Sequence, residues 1–236
     1  MRKISKTSIF YKLYLYYNLY FRNKALSKRK SYSQNQEDLF IADYFKYKDK
    51  GFYIDIGCYH PIKYSNTALL YNRGWHGINI DMNPTSIDLF DILRKRDKNI
   101  CAAISNKSQE AILYFDHLFS PINTLDKKFS EISSKEISFN EHTEKKIYTY
   151  KFNEVMQAHN IKIKQIDFIN IDVEAHDFEV LEGIDLDLLN PRIICIEIAN
   201  NHSSTKLQNY LNKYNYHLIK KIGLNGFYEL KNSNSK

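Results

Sequence analysis

Glycine and proline are scarce in this chain, at 7 and 4 of 236 residues. That excludes collagen-like repeats and Gly/Pro-rich low-complexity sequence. Cysteine is scarcer still. Cys58, Cys101 and Cys195 are odd in number and widely spaced, each in or just after an apolar run. This excludes a disulfide framework and reads as reduced, mostly core cysteine in a cytosolic protein. There is no CxxC and no Cys/His ligand spacing, so a structural zinc site is not expected. No stretch approaches the ~18–20 unbroken apolar residues of a membrane span. What remains is ordinary for a globular chain: 43% hydrophobic and 26% charged residues, enough for one domain with an appendage.

Acidic residues are missing altogether from residues 1–30, which hold nine lysines and arginines. The formal net charge of +7 therefore describes this tail, because residues 31–236 carry 25 cations against 27 acids, a net of −2. A nucleic-acid footprint over the whole domain is thereby disfavoured, and no nucleic-acid partner is expected. The centre of the tail, Ile9 to Phe21, would form a helix of ~20 Å, too short to span a bilayer. Its tyrosines and interrupting Lys12, with no small-residue cleavage site, argue against a signal peptide. Tyrosine prefers membrane interfaces and flanking cations attract anionic lipid. A peripheral contact at the inner face of the membrane is thus one reading of residues 1–30. A helix packed on the domain or on a partner is its equal, and a nucleic-acid arm is a third.

The clearest boundary lies near residue 31, where Ser33 is a candidate N-cap for a helix running through Phe45. From there strands alternate with helices. Strands are expected at Phe52–Ile56, Gly77–Ile80, Asn99–Ile104, Ala111–Phe115, Ile166–Ile171 and Arg192–Ile198. Helices are expected at 65–72, from Pro84 to about Arg96, from His176 to Leu181, and at 203–214. Tyr216–Ile222 and Gly226–Leu230 face each other across a Gly223-Leu224-Asn225-Gly226 turn. This is an α/β fold, a mostly parallel sheet covered on both faces and ending in an antiparallel hairpin. Residues 116–150 break the rhythm; they are polar, and read as a lid or binding insertion.

In such sheets ligands sit at the carboxyl ends of the central strands. The first ends Asp55-Ile56-Gly57, where Gly57 permits a tight turn. The second ends at Asp81, whose carboxylate can accept both hydroxyls of a ribose. Together they indicate an adenosine-type ligand. A dinucleotide would want G-x-G-x-x-G. Here a single glycine follows an acid, which would repel phosphate and suits a cationic sulfonium, so S-adenosylmethionine (SAM) is expected over NAD.

With those residues in place, the chain resembles the FkbM family of SAM-dependent methyltransferases. The matching stretches are Tyr-Ser-Gln-Asn-Gln-Glu-Asp (32–38), Phe-Tyr-Ile-Asp-Ile-Gly (52–57), Ser-Asn-Thr (65–67), Gly-Trp-His-Gly-Ile (74–78) and Asp-Met-Asn-Pro (81–84). Asn123-Thr124-Leu125-Asp126 and the Asp172-Val173-Glu174-Ala175 stretch match later segments, with Ala175 where the family usually carries glycine. The resemblance implies a class I methyltransferase (Rossmann-like) fold, a seven-stranded sheet whose last strand runs antiparallel. It implies Asp55 and Gly57 near the methionine part of SAM, Asp81 on the ribose and Met82 beside the adenine. Ala103, Ile104 and Ser105 should face the adenine edge. It also implies O-methylation of a hydroxyl on a sugar, a glycan or a related small molecule, as in surface polysaccharide biosynthesis.

Methyl transfer to a hydroxyl needs alignment and a base. Asp172, Glu174 and His176 follow the fourth strand of the main sheet, with Asp172 assigned to binding SAM and positioning the acceptor, and Glu174 and His176 as base candidates. Two bland readings stand beside these: Glu174 as a buried structural carboxylate, His176 as a helix-terminal residue with no proton to move. Glu197, Asn200, Asn201 and His202 could line an acceptor pocket, with His60 at its mouth. Asp172 and Glu197 offer oxygen ligands for Mg²⁺, an arrangement not favoured. The alternatives are a nucleic-acid methyltransferase, against which the Asp-Val-Glu-Ala sequence argues, and a noncatalytic adenosine-ligand-binding protein.

Overall fold

Runs such as Phe-Ile-Asn-Ile and Ile-Ile-Cys-Ile-Glu are apolar at nearly every position, the pattern of parallel strands covered on both faces. A computed structural model describes residues 8–23, 29–117, 120–138, 142–163, 165–198 and 201–231, without the side chains of 137, 138 and 201–203. Its main sheet contains β1 (Phe52–Ile56), β2 (His76–Asp81), β3 (Lys98–Cys101), β7 (Phe168–Ile171), β8 (Ile193–Glu197), β9 (Tyr216–Ile222) and β10 (Asn225–Leu230). These seven strands run in the order β3-β2-β1-β7-β8-β10-β9. Only β10 is antiparallel, lodged between β8 and the edge strand β9. The sheet is therefore the α/β architecture expected from the sequence.

The side-chain period of two divides the core. Ile54, Ile56, Ile169, Ile171, Ile194 and Ile196 face one side, under Val180, Leu181 and Phe152. Tyr53, Phe168, Ile193 and Cys195 face the other, with Ile41, Phe45 and Trp75. Asp55 and Asn170 are in register on adjacent strands, so the second face turns polar at the strand ends.

Helices α2 (Glu37–Tyr44), α3 (Ala68–Asn72), α4 (Pro84–Leu93), α7 (Asp177–Glu182), α8 (Leu186–Leu189) and α9 (Asn201–Lys213) complete the alternation. Ser33 is not the N-cap of α2. The helix starts at Glu37 behind Gln36 in a left-handed conformation, so Ser33 lies outside the N-cap position; its hydroxyl still accepts the Asp38 N–H of the first turn at 3.3 Å and donates to the Asp38 carboxylate at 2.9 Å. The expected strand 99–104 is broken at Ala102. Its second half, β4 (Ala103–Ile104), leaves the main sheet and pairs with β6 (Thr143–Tyr150). β6 also pairs antiparallel with β5 (Gln109–Phe115).

Residues 116–150 are thus no featureless insertion. They hold α5 (Lys127–Ser133), the π turn Ser134–Ser138 and β6. Polar composition hid β6 because nearly all its side chains meet solvent. Sequence reading also passed over α6 (Phe152–Ala158), although Phe152, Val155 and Met156 sit at i, i+3 and i+4 and are buried.

At the N-terminal end lies α1 (Ile9–Tyr17), capped by Ser8 and continued by the π turn Asn18–Arg22. Tyr11, Leu15 and Leu19 pack on Leu89, Ile92 and Leu93 of α4. The Tyr11 hydroxyl donates to Asp88 at 2.6 Å. Among the described residues, no helix is long and apolar enough to cross a membrane.

Candidate active site

The loops after β1, β2 and β7 meet at the carboxyl edge of the sheet. Gly57 has φ 78°, and a Cβ there would lie 1.8 Å from the Asp172 carbonyl oxygen. Only glycine allows this contact between two loops. The Gly57 N–H donates to Ile80 at 2.9 Å and the Asp172 N–H to Ile56 at 3.0 Å, pinning all three strand ends together.

Asp81 closes β2. Its Oδ2 accepts the Tyr59 N–H at 2.8 Å and its Oδ1 the Asn83 N–H at 2.7 Å. Each oxygen keeps a further lone-pair direction. Burial raises its pKa to about 6, against the pull of those two N–H groups. Asn83 caps α4, its Oδ1 accepting the Thr85 N–H at 3.0 Å, with Pro84 at the first helical position.

Gly57, Asp81, Met82, Ala103, Ile104, Asp172, Glu174 and His176 line one pocket. The structure therefore gathers most of the residues singled out in the sequence. Pro121 and Leu125 from the 116–150 segment add apolar wall to it. An adjoining, more polar pocket shares Gly57, Asp172 and Glu174 and adds Asp55, Gln34, Asn66 and Asn170. Asp55 is bound on both oxygens, by Thr67 Oγ1 at 2.7 Å and Asn170 Nδ2 at 2.9 Å. Asn66 donates to Asn170 in turn, at 2.9 Å. Burial, ahead of these donors, raises the Asp55 pKa.

Carboxylates crowd the β7 end. Burial first, then the charges of Glu197, Asp55 and Glu37, push Asp172 up to about 7. Burial with Asp172, Glu197 and Asp177 pushes Glu174 up to about 9. Burial alone raises Glu197. Asp177 is raised well above the carboxylate range by burial, then by Asp172 and Glu197, and accepts the Val173 N–H at 3.0 Å. Among the described residues, no ion pair neutralises Asp172, Glu174 or Glu197. Oxygens of Asp172, Asp177 and Glu197 lie within 4.8 Å of one another. An all-oxygen set of this kind suits a hard divalent cation. Asp177 was absent from the pair expected in the sequence.

Two left-handed residues in succession, Glu174 (φ 55°) and Ala175 (φ 68°), shape the β7–α7 loop. Thr124, from the Asn-Thr-Leu-Asp segment, donates its hydroxyl to the Glu174 carbonyl at 2.6 Å and holds that bend. Asp126 caps α5, accepting the Phe129 N–H at 2.6 Å. A Cβ in the left-handed region costs about 1–2 kcal/mol, which accounts for glycine being usual at position 175. Replacing Ala175 by glycine should stabilise the fold by up to about 1 kcal/mol, after the greater chain entropy of glycine is subtracted. A rise in thermal midpoint would register it; a fall would show that the loop is unstrained.

His176 is not free. Its Nε2 lies 3.0 Å from Ser105 Oγ and its Nδ1 3.8 Å from Glu179. Burial lowers its pKa. Ser105 accordingly turns to His176 and is not among the residues that line the pocket.

His60 requires correction. It is 3% exposed and lines neither pocket. Its Nδ1 accepts the N–H groups of Ile62 and Lys63, each at 3.0 Å. The proton then sits on Nε2, 3.0 Å from Asn18 Oδ1. Burial, then Lys63, Arg94 and Arg22, lower its pKa to about 3. His60 is a neutral strut joining the β1 loop to the N-terminal segment. Asn200 and the side chains of Asn201 and His202 lie outside the described residues.

Tyr59, Asn83, Asn66, Asn170 and Asp177 escaped sequence reasoning as site residues. Asn83 and Asn66 sat inside recognisable motifs. Asn170 is an amide within a strand and gave no signal.

A search of curated proteins finds no match. A crystal structure described as that of a candidate RNA methyltransferase from Pyrococcus horikoshii is similar at a TM-score of 0.43 and 10% identity, over 88% of this chain and 95% of that one. A likeness this loose carries no functional weight. The methyltransferase FkbM domain model matches residues 55–218. That match runs from the end of β1 through β2, β7 and β8 and takes in every residue that lines the pocket holding Asp81, and the chain belongs to the FkbM methyltransferase family.

Proposed function

We propose that this enzyme methylates a hydroxyl group of a sugar or glycan, with SAM as donor, in surface polysaccharide biosynthesis. A methyltransferase family implies a donor of this type. The observation that carries the reading is the pair of adjoining pockets. One has an apolar wall and the Asp81 carboxylate; the other is lined by carboxylates and amides.

The residues fit the donor. Asp81 has lone pairs directed away from its two backbone partners, as a ribose diol requires. Met82, Ala103, Ile104 and Leu125 offer flat apolar contact for an adenine. Asp55, Asp172 and Glu174 line the pockets, Glu197 standing behind them outside both linings. Acidic groups with no cation paired to them among the described residues suit a ligand with cationic amino and sulfonium groups, which favours their ionised forms, and disfavour a pyrophosphate. When bound, SAM supplies a methyl group on a positively charged sulfur.

The protein's part is orientation and proton handling. Gln34, Asn66 and Asn170 supply donors and acceptors suited to a polyol. Asp172, shared by both pockets, positions acceptor against donor. Glu174 would accept the proton of the acceptor hydroxyl as that hydroxyl oxygen bonds to the methyl carbon, the carbon–sulfur bond breaking and the sulfur leaving as a neutral thioether. A carboxyl raised to about 9 holds its proton at neutral pH in the free protein. A cation beside it favours the ionised form and readies it as base. His176, bound to Ser105, supports the loop. Residues 1–30 would keep the enzyme at the inner face of the membrane, where lipid-linked glycans are assembled.

Glu174→Gln should lower kcat by about 10²–10⁴-fold, the usual worth of a general base, a larger loss than the weakening of SAM binding that removing one carboxyl group brings. The assay is transfer of a labelled methyl group from SAM to nucleotide sugars, lipid-linked glycans and RNA. Mass spectrometry then seeks one added methylene on the sugar. Label passing to RNA and not to carbohydrate would overturn the acceptor class. Unchanged kcat in the Gln variant would remove Glu174 as base.

A further inference from the structure

The helix that packs on α4 has a second face that no other described residue covers. Tyr16, Ile9, Tyr20, Leu13, Phe10 and Phe21 are each between 48% and 71% exposed. At about 100° per residue these positions, with Tyr17, fall on one continuous arc roughly 140° wide. The arc lies opposite Tyr11, Leu15 and Leu19, which are buried against α4. Seven of the sixteen large hydrophobic residues exposed among the described residues lie between positions 9 and 21. Elsewhere they are scattered, which is normal for a surface. Contiguous apolar surface marks an interaction site.

Stacking orders this face. Tyr16 and Tyr20 lie 6.0 Å apart at 15°, and Tyr17 and Phe21 lie 6.3 Å apart at 11°. On the inner side, the Tyr11 hydroxyl is held by Asp88 and Thr85. Docking would therefore need little reorganisation of the helix.

Charge selects the occupant. Residues 1–30 carry nine cations and no acid. A second copy of the chain would bring nine cations against nine. A duplex nucleic acid would leave the aromatic arc wet, because its bases are stacked inside, and a single strand would find the Tyr16–Tyr20 and Tyr17–Phe21 rings stacked on each other. A bilayer with anionic headgroups satisfies both features. Tyrosine and phenylalanine enter the headgroup–acyl boundary while lysine and arginine meet the lipid charge.

We propose that the outward face of α1 and its π turn is a docking surface for an anionic lipid bilayer, lying in the interface plane. This goes beyond the catalytic reading and stands without it. The same segment reaches the active-site rim. Asn23 donates to Asn18 Oδ1 at 2.9 Å, Asn18 meets His60, and the neighbouring Tyr59 N–H binds Asp81. Docking through α1 therefore fixes how the pocket faces the membrane.

The test is co-sedimentation of the full chain with phosphatidylcholine vesicles, with and without phosphatidylglycerol. Wild type should partition onto the anionic vesicles and lose binding as salt rises. The double variant Phe10→Ser/Phe21→Ser removes two exposed rings and should keep the wild-type melting temperature. Its vesicle affinity should fall about tenfold or more, given the transfer free energy of two aromatic side chains. Equal binding by wild type and variant would overturn the proposal, since the cationic tail alone would then suffice. So would absence of binding by wild type, or a wild-type dimer that the variant converts to monomer without any vesicle binding.

Discussion

Replacing Asp81 by alanine is expected to weaken SAM binding at least about a hundredfold. Hydrogen bonds to a charged group contribute about 1.5–3 kcal/mol each. Two ribose hydroxyls on one carboxylate therefore account for two or more powers of ten in affinity. The Asp81→Asn variant keeps the shape but one acceptor oxygen only, and should fall between wild type and alanine. Asp81 also accepts the Tyr59 and Asn83 N–H groups, so the melting temperature must be compared alongside the titration. Calorimetric titration of SAM gives the affinity. Affinity unchanged in the alanine variant, with the fold intact, would refute the ribose contact.

The same titration carries a pH signature. Asp81 is raised to about 6, Asp172 to about 7 and Glu174 to about 9. A cationic ligand prefers all three ionised. Binding should therefore release protons at neutral pH, and affinity should fall as pH drops through these values. Repeating the titration in buffers of different ionisation enthalpy counts the protons. A NAD-type ligand would show the opposite trend, its pyrophosphate repelled more as the carboxylates ionise.

The second large effect concerns Arg94, which is 2% exposed and lies under the site. Its Nη2 donates to the Pro61 carbonyl at 2.9 Å and to Ser65 Oγ at 3.2 Å; its Nη1 donates to the Tyr53 hydroxyl at 3.0 Å. Asp97 Oδ2 is 4.0 Å away. Asp97 in turn accepts the Tyr53 hydroxyl at 2.5 Å, the Gly77 N–H at 2.9 Å and Asn79 Nδ2 at 2.9 Å. Arg94 thus ties α4 to β1 and to the loop that leads from Gly57 into α3. Arg94→Met should cost about 3–5 kcal/mol, because Asp97 is left as a buried charge without its partner. Adding Asp97→Asn should recover part of that loss. Denaturant midpoints would measure both. A loss below about 1 kcal/mol for the single variant would show that this network is not a mainstay of the fold.

Much of the fold was legible locally. Phe168–Ile171 and Ile193–Glu197 are buried on both alternations, and a run of that kind has no stable place except the middle of a covered sheet. Gly57 and Asp81 announced themselves because backbone conformation and strand-end charge are properties of single positions. β6 and α1 were harder. β6 is solvated on most of its surface, so composition alone reads it as loop. α1 carries apolar or aromatic side chains at every position except Lys12, and its pattern alone does not say which side meets the domain.

What the amino-acid order determined by itself was the sheet, the strand-end carboxylates and the lone glycine, all of which follow from burial and backbone geometry within a few residues. Only the tertiary structure decided which group meets which lone pair. Asp55 is held by Asn170, 115 residues away, and His60 by Asn18, 42 residues away. It also decided that Asp177 joins Asp172 and Glu197, and that Thr124 braces the bend at Glu174 and Ala175. These are encounters between distant segments, set by how the whole core packs and carried by no local pattern.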